Sequence, residues 1–262
     1  MNKFDSIKSK KGKEKLVCLT AYSFSIAKII DKYCDIILVG DSLAMTVYGH
    51  KNTQDVSLQT MINHGKAVTA ARKNSLVVVD LPFGSYEKSK EQALKSAKEV
   101  VANTDCDAIK IEISSKSIAQ TIEYLVKNNI NVIGHVGLLP QQVKDADGYK
   151  YQGSNAESYN EILELAQLSD KAGAIALVIE AVPEKLASEI TSKITIPTIG
   201  IGASKNCDGQ ILVTDDLIGL NQEFKPKFVK RYSNIANIID DAAKNYAQEV
   251  IDQKFPSSDH VR

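Results

Sequence analysis

Apolar residues in this chain gather into eight short unbroken runs, separated by longer stretches where they recur every three or four positions. The runs are Leu16–Thr20, Asp35–Val39, Ser75–Asp80, Ala108–Glu112, Asn131–His135, Ala174–Glu180, Pro197–Ile201 and Gln210–Val213. Most are rich in Val and Ile and lack polar alternation, as in parallel strands covered on both faces. The stretches between them predict helices over Ser25–Lys32, Leu58–Arg72, Glu87–Ala102, Ser117–Lys127, Ala156–Ala172 and Glu184–Thr191, with a last one over Asn234–Gln253. Regular strand–helix alternation gives a parallel sheet, either closed as a barrel or open and doubly wound. Eight runs favour closure. An open dinucleotide-binding sheet wants a glycine-rich loop after its first strand, whereas Ala21-Tyr22-Ser23-Phe24 follows here. The expected architecture is therefore an α/β fold, a (β/α)₈ TIM barrel, with residues 1–262 forming one domain.

The ends of the runs carry the chemistry. Val-Gly-Asp-Ser reaches Asp41 and Ser42, Val-Val-Val-Asp ends at Asp80, and Ile-Lys-Ile-Glu at Glu112. Ile-Gly-His ends at His135 and Leu-Val-Ile-Glu at Glu180. In a closed α/β barrel all of these project at the C-terminal rim, where active sites lie. Asp41, Asp80 and Glu112 would repel one another unless a cation neutralises them. Mg²⁺ suits such a set, since it takes one or two direct carboxylates and keeps several waters. Lys110 lies two residues before Glu112 and shares its face, as a counter-ion, a substrate-carboxylate ligand, or both. Glu180 closes the most apolar strand, surroundings that suit a general base working near neutral pH. Gly134 and Gly137 flank His135 and suggest close backbone approach at the site. The stretch Ile199-Gly-Ile-Gly-Ala203 permits either a phosphate cradle or a close approach to another ligand.

Composition narrows the partners. The 262 residues are 44% hydrophobic, enough for a sizeable core, and 32 basic residues balance 32 acidic ones. No global field favours nucleic acid or an anionic membrane, and a net charge near zero does little to oppose self-association. Four cysteines without paired spacing fit a reducing compartment. The lysine-rich stretch before Leu16 lacks the apolar core of a signal peptide. A cytoplasmic location is expected, with no membrane or nucleic-acid partner.

Read in order, the segments resemble the ketopantoate hydroxymethyltransferase (3-methyl-2-oxobutanoate hydroxymethyltransferase) family. The resemblance runs through Leu-Thr-Ala-Tyr at 19–22, Leu-Val-Gly-Asp-Ser-Leu at 38–43, Asp-Leu-Pro-Phe at 80–83 and Lys-Ile-Glu at 110–112. It continues through Gly-His-Val-Gly-Leu-Leu-Pro-Gln at 134–141 and Gly-Tyr-Lys-Tyr-Gln-Gly at 148–153. Ile-Gly-Ile-Gly-Ala at 199–203, Cys-Asp-Gly-Gln-Ile-Leu-Val at 207–213 and Pro-Lys-Phe-Val-Lys at 226–230 complete it. An ordered series of this kind is more specific than any lone motif.

The resemblance implies a barrel of the phosphoenolpyruvate/pyruvate type with an extra N-terminal helix. It also implies transfer of a one-carbon unit from 5,10-methylenetetrahydrofolate to 3-methyl-2-oxobutanoate, giving 2-dehydropantoate on the route to pantothenate and coenzyme A. By position, Asp41, Asp80 and Glu112 would surround Mg²⁺. Ser42 and Lys110 would join Asp41 and Asp80 in holding the keto acid, Glu180 would accept the proton, and His135 falls at an active-site position. A homo-oligomer, commonly a decamer, is implied as well. Three places depart from the family pattern. Tyr22-Ser23 stands for Tyr-Asp, Ile113-Ser114 for two glycines, and Gly202-Ala203-Ser204 for Gly-Ala-Gly. The Ile113-Ser114 pair adjoins Glu112 and is expected to reshape the pocket's edge. Two rivals fit the same residues: a lyase or mutase acting on small 2-oxo acids on the same barrel, and a non-catalytic metabolite-binding barrel. Intact Asp41, Asp80, Glu112 and Glu180 weigh against the second.

Overall fold

The computed structural model describes residues 3–143, 150–222 and 226–261. Gly148 and Tyr149 of the Gly-Tyr-Lys-Tyr-Gln-Gly segment lie outside the described residues. The chain divides into two compact units, Met1–Val213 and Thr214–Arg262.

The first unit opens with helix α1 (Lys3–Ser9) and strand β1 (Leu16–Thr20), then α2 (Phe24–Ile30), β2 (Ile36–Val39), α3 (Leu43–Thr46) and α4 (Leu58–Thr69). It continues with β3 (Leu76–Asp80), α5 (Lys90–Thr104), β4 (Ala108–Glu112), α6 (Lys116–Lys127) and β5 (Val132–Gly137). Helix α7 (Ala156–Lys171), β6 (Ala176–Glu180), α8 (Glu184–Lys193), β7 (Thr198–Ile201) and β8 (Gly209–Leu212) complete it. The strands pair in parallel in chain order and β1 pairs with β8, closing the barrel. The expected (β/α)₈ architecture and its extra N-terminal helix are both present.

Alternation along each strand makes two apolar layers. Cys18, Ile36, Leu38, Leu76, Val78, Ala108, Ile133, Val178, Ile199 and Ile211 fill the barrel interior. Ile37, Val39, Val77, Val79, Ile109, Ile111, Leu177 and Ile179 face outward and pack with Met61, Val68, Ala97, Val100, Ile122 and Leu125 of the surrounding helices. Ile7 of α1 joins the interior cluster, so the N-terminal helix contributes to the barrel's own core.

Helix starts follow the local chemistry. Ser57, Ser89 and Asn155 hold extended backbone and accept the N–H three residues on, from Thr60, Gln92 and Ser158. Side chains of this kind satisfy donors that the first helical turn leaves open. The cap at Ser89 moves the start of α5 to Lys90, later than the apolar spacing alone suggests. Ser23, where the family pattern has Asp, caps α2 by accepting from Ile26 N–H, so that departure preserves the capping role.

The N-terminal ends of the strands are laced by aspartates. Asp31 accepts from the backbone N–H groups of Lys73, Asn74 and Ser75. Asp208 accepts from Thr198 N–H, Thr198 Oγ1, Gly12 N–H and Lys11 Nζ. Those donors hold the Asp208 carboxyl below its ordinary value despite its burial.

In the second unit, α9 (Thr214–Leu217) is followed by α10 (Ile235–Ile251), with Tyr232 N–H bonded to Leu217 O. Ile235, Ile238, Ile239, Ala242 and Ala243 recur along α10 at helical spacing. Among the described residues no helix is long and apolar enough to cross a membrane. All four cysteines are buried and unpaired.

Candidate active site

Strand register brings the ionisable ends together. Asp80 on β3 lies beside Lys110 on β4, Glu112 beside His135 on β5, and Gly137 beside Glu180 on β6. Lys110, Glu112, His135 and Glu180 occupy the inward-facing phase of their strands: Lys110 lies two residues before Glu112, Glu112 is in register with His135, and Glu180 is in register with Gly137, two residues past His135. Asp41 and Ser42 follow β2 directly, and Ser42 begins α3.

Asp80 is nearly inaccessible. One oxygen, Oδ2, accepts Asp41 N–H at 3.1 Å, and the other, Oδ1, lies 3.0 Å from Lys110 Nζ. Gly40 makes room for this approach. A Cβ there would stand 2.9 Å from Ser42 Oγ and 3.6 Å from Asp80 Oδ2. Ser42 Oγ is 2.8 Å from Tyr22 Oη. On the other side of the pocket, His135 Nδ1 is 3.8 Å from Glu112 Oε1, and His135 Nε2 is 3.2 Å from Glu180 Oε2.

Charge in the pocket is unbalanced. Among the described residues, Asp41, Asp80, Glu112 and Glu180 surround one cation, Lys110. Burial, reinforced by Asp80, pushes the Asp41 carboxyl up to about 7. Burial and then Asp41 push Glu112 well above the ordinary carboxylate range. Burial alone would pull the Lys110 ammonium down, but Asp80, Glu112 and Asp41 together outweigh it and raise its pKa. His135 moves the other way, because burial and the Lys110 charge outweigh the pull of Glu180. The fall favours the neutral imidazole, which approaches Glu180 Oε2 at 3.2 Å.

This arrangement fits a hard cation through its donor chemistry. The donors are oxygens, and Asp80 Oδ1 is buried with no well-directed hydrogen bond beyond its ion pair. Both His135 ring nitrogens are likewise buried without a well-directed hydrogen bond. Buried polar groups in that condition call for a missing ligand or water. Among the described residues, no three His, Cys, Asp or Glu side chains stand close enough to cage a metal by themselves. Mg²⁺ needs no such cage, since it keeps several waters.

Gln141 stands where the sequence reading placed nothing. It sits in a single 3₁₀ turn, Pro140–Gln142, just past β5, and is 1% exposed. Its amide Nε2 donates to Asp41 Oδ2 at 2.8 Å and to Leu81 O at 2.9 Å. Its backbone N–H faces both Glu112 oxygens at 3.1 and 3.3 Å. Tyr86, fully buried, donates to Gln141 Oε1 at 2.7 Å. Neither residue ends an apolar run, and the only signal for Gln141 was its place inside the 134–141 segment.

Several glycine and loop readings change. Gly134 faces outward, where a Cβ would meet Ser169 Oγ at 2.5 Å and Ile113 Cδ1 at 2.9 Å. Gly137 has φ +99°, and a Cβ there would collide with the backbone oxygen of Glu180. Both glycines therefore serve strand and helix packing, not the approach of a ligand. Gly200 also faces outward, toward Cys207 and Gln210, which removes it from any phosphate cradle. Ile113 belongs to the outer layer, opposite in phase to Lys110 and Glu112. Its side chain packs in the layer between barrel and helices, away from Lys110 and Glu112.

A closed parallel barrel with its ionisable groups gathered on one rim has the architecture of an α/β-barrel enzyme. Solved structures bear out the fold. A phosphonopyruvate hydrolase superposes with TM-score 0.63 over 99% of this chain and 90% of its own, at 12% identity. A 2,3-dimethylmalate lyase, itself a member of the phosphoenolpyruvate mutase/isocitrate lyase superfamily, gives TM-score 0.56 over 76% of this chain and 72% of its own, at 14% identity. The family model for ketopantoate hydroxymethyltransferase matches residues 2–258. A 3-methyl-2-oxobutanoate hydroxymethyltransferase from Rhizobium etli is 48% identical over 97% of this chain and 93% of its own length. Its namesake from Cereibacter sphaeroides is 48% identical over 97% and 91%. This chain belongs to the ketopantoate hydroxymethyltransferase family.

Proposed function

We propose that this chain transfers a hydroxymethyl group from 5,10-methylenetetrahydrofolate to 3-methyl-2-oxobutanoate, giving 2-dehydropantoate for pantothenate and coenzyme A synthesis. The observation that carries the reading is Glu180 beside His135, whose neutral form is favoured, on the same rim as the Asp80–Lys110 pair, in a chain so close to relatives of that name. Asp41, Asp80 and Glu112 would hold Mg²⁺, one or two of them directly and the rest through water. When bound, the ion supplies Lewis acidity toward the keto oxygen.

The remaining work falls to side chains. Lys110, held charged by its carboxylate neighbours, favours negative charge on the keto acid's oxygens. Ser42, Asp41 and Asp80 orient the keto acid. Glu180 takes the C3 proton, and His135 lies against its Oε2 where it steers that carboxylate. The C3–H bond breaks and a C–C bond forms to the folate's methylene carbon. Both C–N bonds from that carbon to the folate break: water supplies the new hydroxyl, its other proton and the proton taken from C3 go to the two folate nitrogens, and tetrahydrofolate leaves.

Mass-spectrometric detection of 2-dehydropantoate, from both substrates with Mg²⁺ and then with chelator, tests this directly. Metal-dependent product is the expected result, and no product under either condition would end the proposal. A cytoplasmic homo-oligomer, decameric by the family resemblance, completes the reading, with the apolar stripe of α10 as a candidate contact. Sedimentation velocity should show a species several-fold heavier than the 28.6 kDa chain, and a monomer would contradict it.

A further inference from the structure

We infer that Gln141 is a positioning residue for Asp41 and Glu112, held in one amide orientation by Tyr86, an inference that rests on the metal site proposed above. The direction of each bond sets that orientation. Glu112 N–H donates to Tyr86 Oη at 3.3 Å, and of the two acceptors facing the phenolic proton Gln141 Oε1, at 2.7 Å, is nearer than Glu112 O, at 3.4 Å. With Oε1 occupied as an acceptor, Nε2 must face Asp41 Oδ2 and Leu81 O, and both of its protons are used. A flipped amide would set oxygen against a carboxylate and a carbonyl at the same distances. Gln54 Nε2 fixes the turn from the other side by donating to Gln141 O at 2.8 Å.

The residue therefore ties the loops after β2, β3 and β5 and the end of β4 into one buried network. It satisfies one oxygen of Asp41 through a neutral amide, and Glu112 through a backbone N–H. A lysine or arginine there would supply positive charge itself, whereas glutamine fixes the two carboxylates and leaves their charge for a cation. Groups that orient metal-holding carboxylates in this way commonly alter metal affinity by about 10–100-fold when removed.

The test is calorimetric titration of Mg²⁺ into the full chain without substrates, for the parent, Tyr86→Phe, Gln141→Leu and the double variant. Circular dichroism serves as the folding control, and Tyr86→Phe keeps its buried ring if Gln141→Leu does not fold. Gln141→Leu should weaken Mg²⁺ binding by roughly 10–100-fold, and Tyr86→Phe should weaken it less. The double variant should be no worse than Gln141→Leu, because Tyr86 acts through the amide. Parental affinity in folded Tyr86→Phe and Gln141→Leu would overturn the positioning role alone. A parent that binds no divalent cation would overturn the metal site and the role together.

Discussion

Among the described residues Lys110 is the one buried cation beside four carboxylates, and its neighbours set how the pocket answers to pH. Asp41 is raised from 3.8 to about 7 by burial and Asp80. The folded, metal-free chain therefore keeps a proton that the unfolded chain releases. The stability this contributes is full below about pH 4 and is lost as pH rises through about 7. A bound divalent cation reverses the preference, because it requires the ionised form. The rise in thermal midpoint on adding Mg²⁺ should thus be larger at pH 8 than at pH 5, and proton release on binding should be larger at pH 6 than at pH 8. An Mg²⁺ effect of equal size at pH 5 and pH 8 would show that Asp41 has no part in holding the ion. Glu180 carries a separate expectation. Glu180→Gln keeps size and polarity but removes the proton acceptor, so kcat should fall by about 100- to 10,000-fold while the keto acid's dissociation constant changes little. A kcat within a few-fold of the parent would remove Glu180 from the role of base.

Elements explain which parts of this picture the sequence made legible. The strands were readable because β2 to β6 are buried along nearly their whole length and so carry unbroken apolar runs, whereas β1 and β8 each expose one residue, Val17 and Gln210. A final ionisable residue then had to fall at the rim, which exposed Asp80, Glu112 and Glu180 as candidates. Gln141 and Tyr86 were not readable, since a polar residue in a loop acquires its meaning only from what three other loops bring to it. Gly134 was misread because strand phase, not proximity to His135, decides which way its missing side chain would point. The N-terminal ends hold the complementary role. Asp208 ties Lys11 and Gly12, just ahead of β1, to Thr198 at the start of β7. Asp208→Ala leaves those donors unpaired and should cost roughly 3–5 kcal/mol in denaturant unfolding. Its kcat/KM should be unchanged at temperatures where the variant stays folded. A loss of activity without a loss of stability would mean that this end of the barrel serves the chemistry as well.

For the whole molecule, the division between a stabilising N-terminal end and a reactive C-terminal rim is the logic of the barrel itself. On the function proposed above, the rim's carboxylates, its imidazole and its unfilled polar atoms would serve one chemical act, the removal of a proton from a carbon beside a ketone. That act can be watched without the folate. The C3–H signal of 3-methyl-2-oxobutanoate, followed by NMR in D₂O with the chain and Mg²⁺, should disappear by exchange and persist when chelator is present. Addition of 5,10-methylenetetrahydrofolate to the same tube should then yield 2-dehydropantoate. A C3–H signal that survives in the presence of both chain and Mg²⁺ would contradict the account.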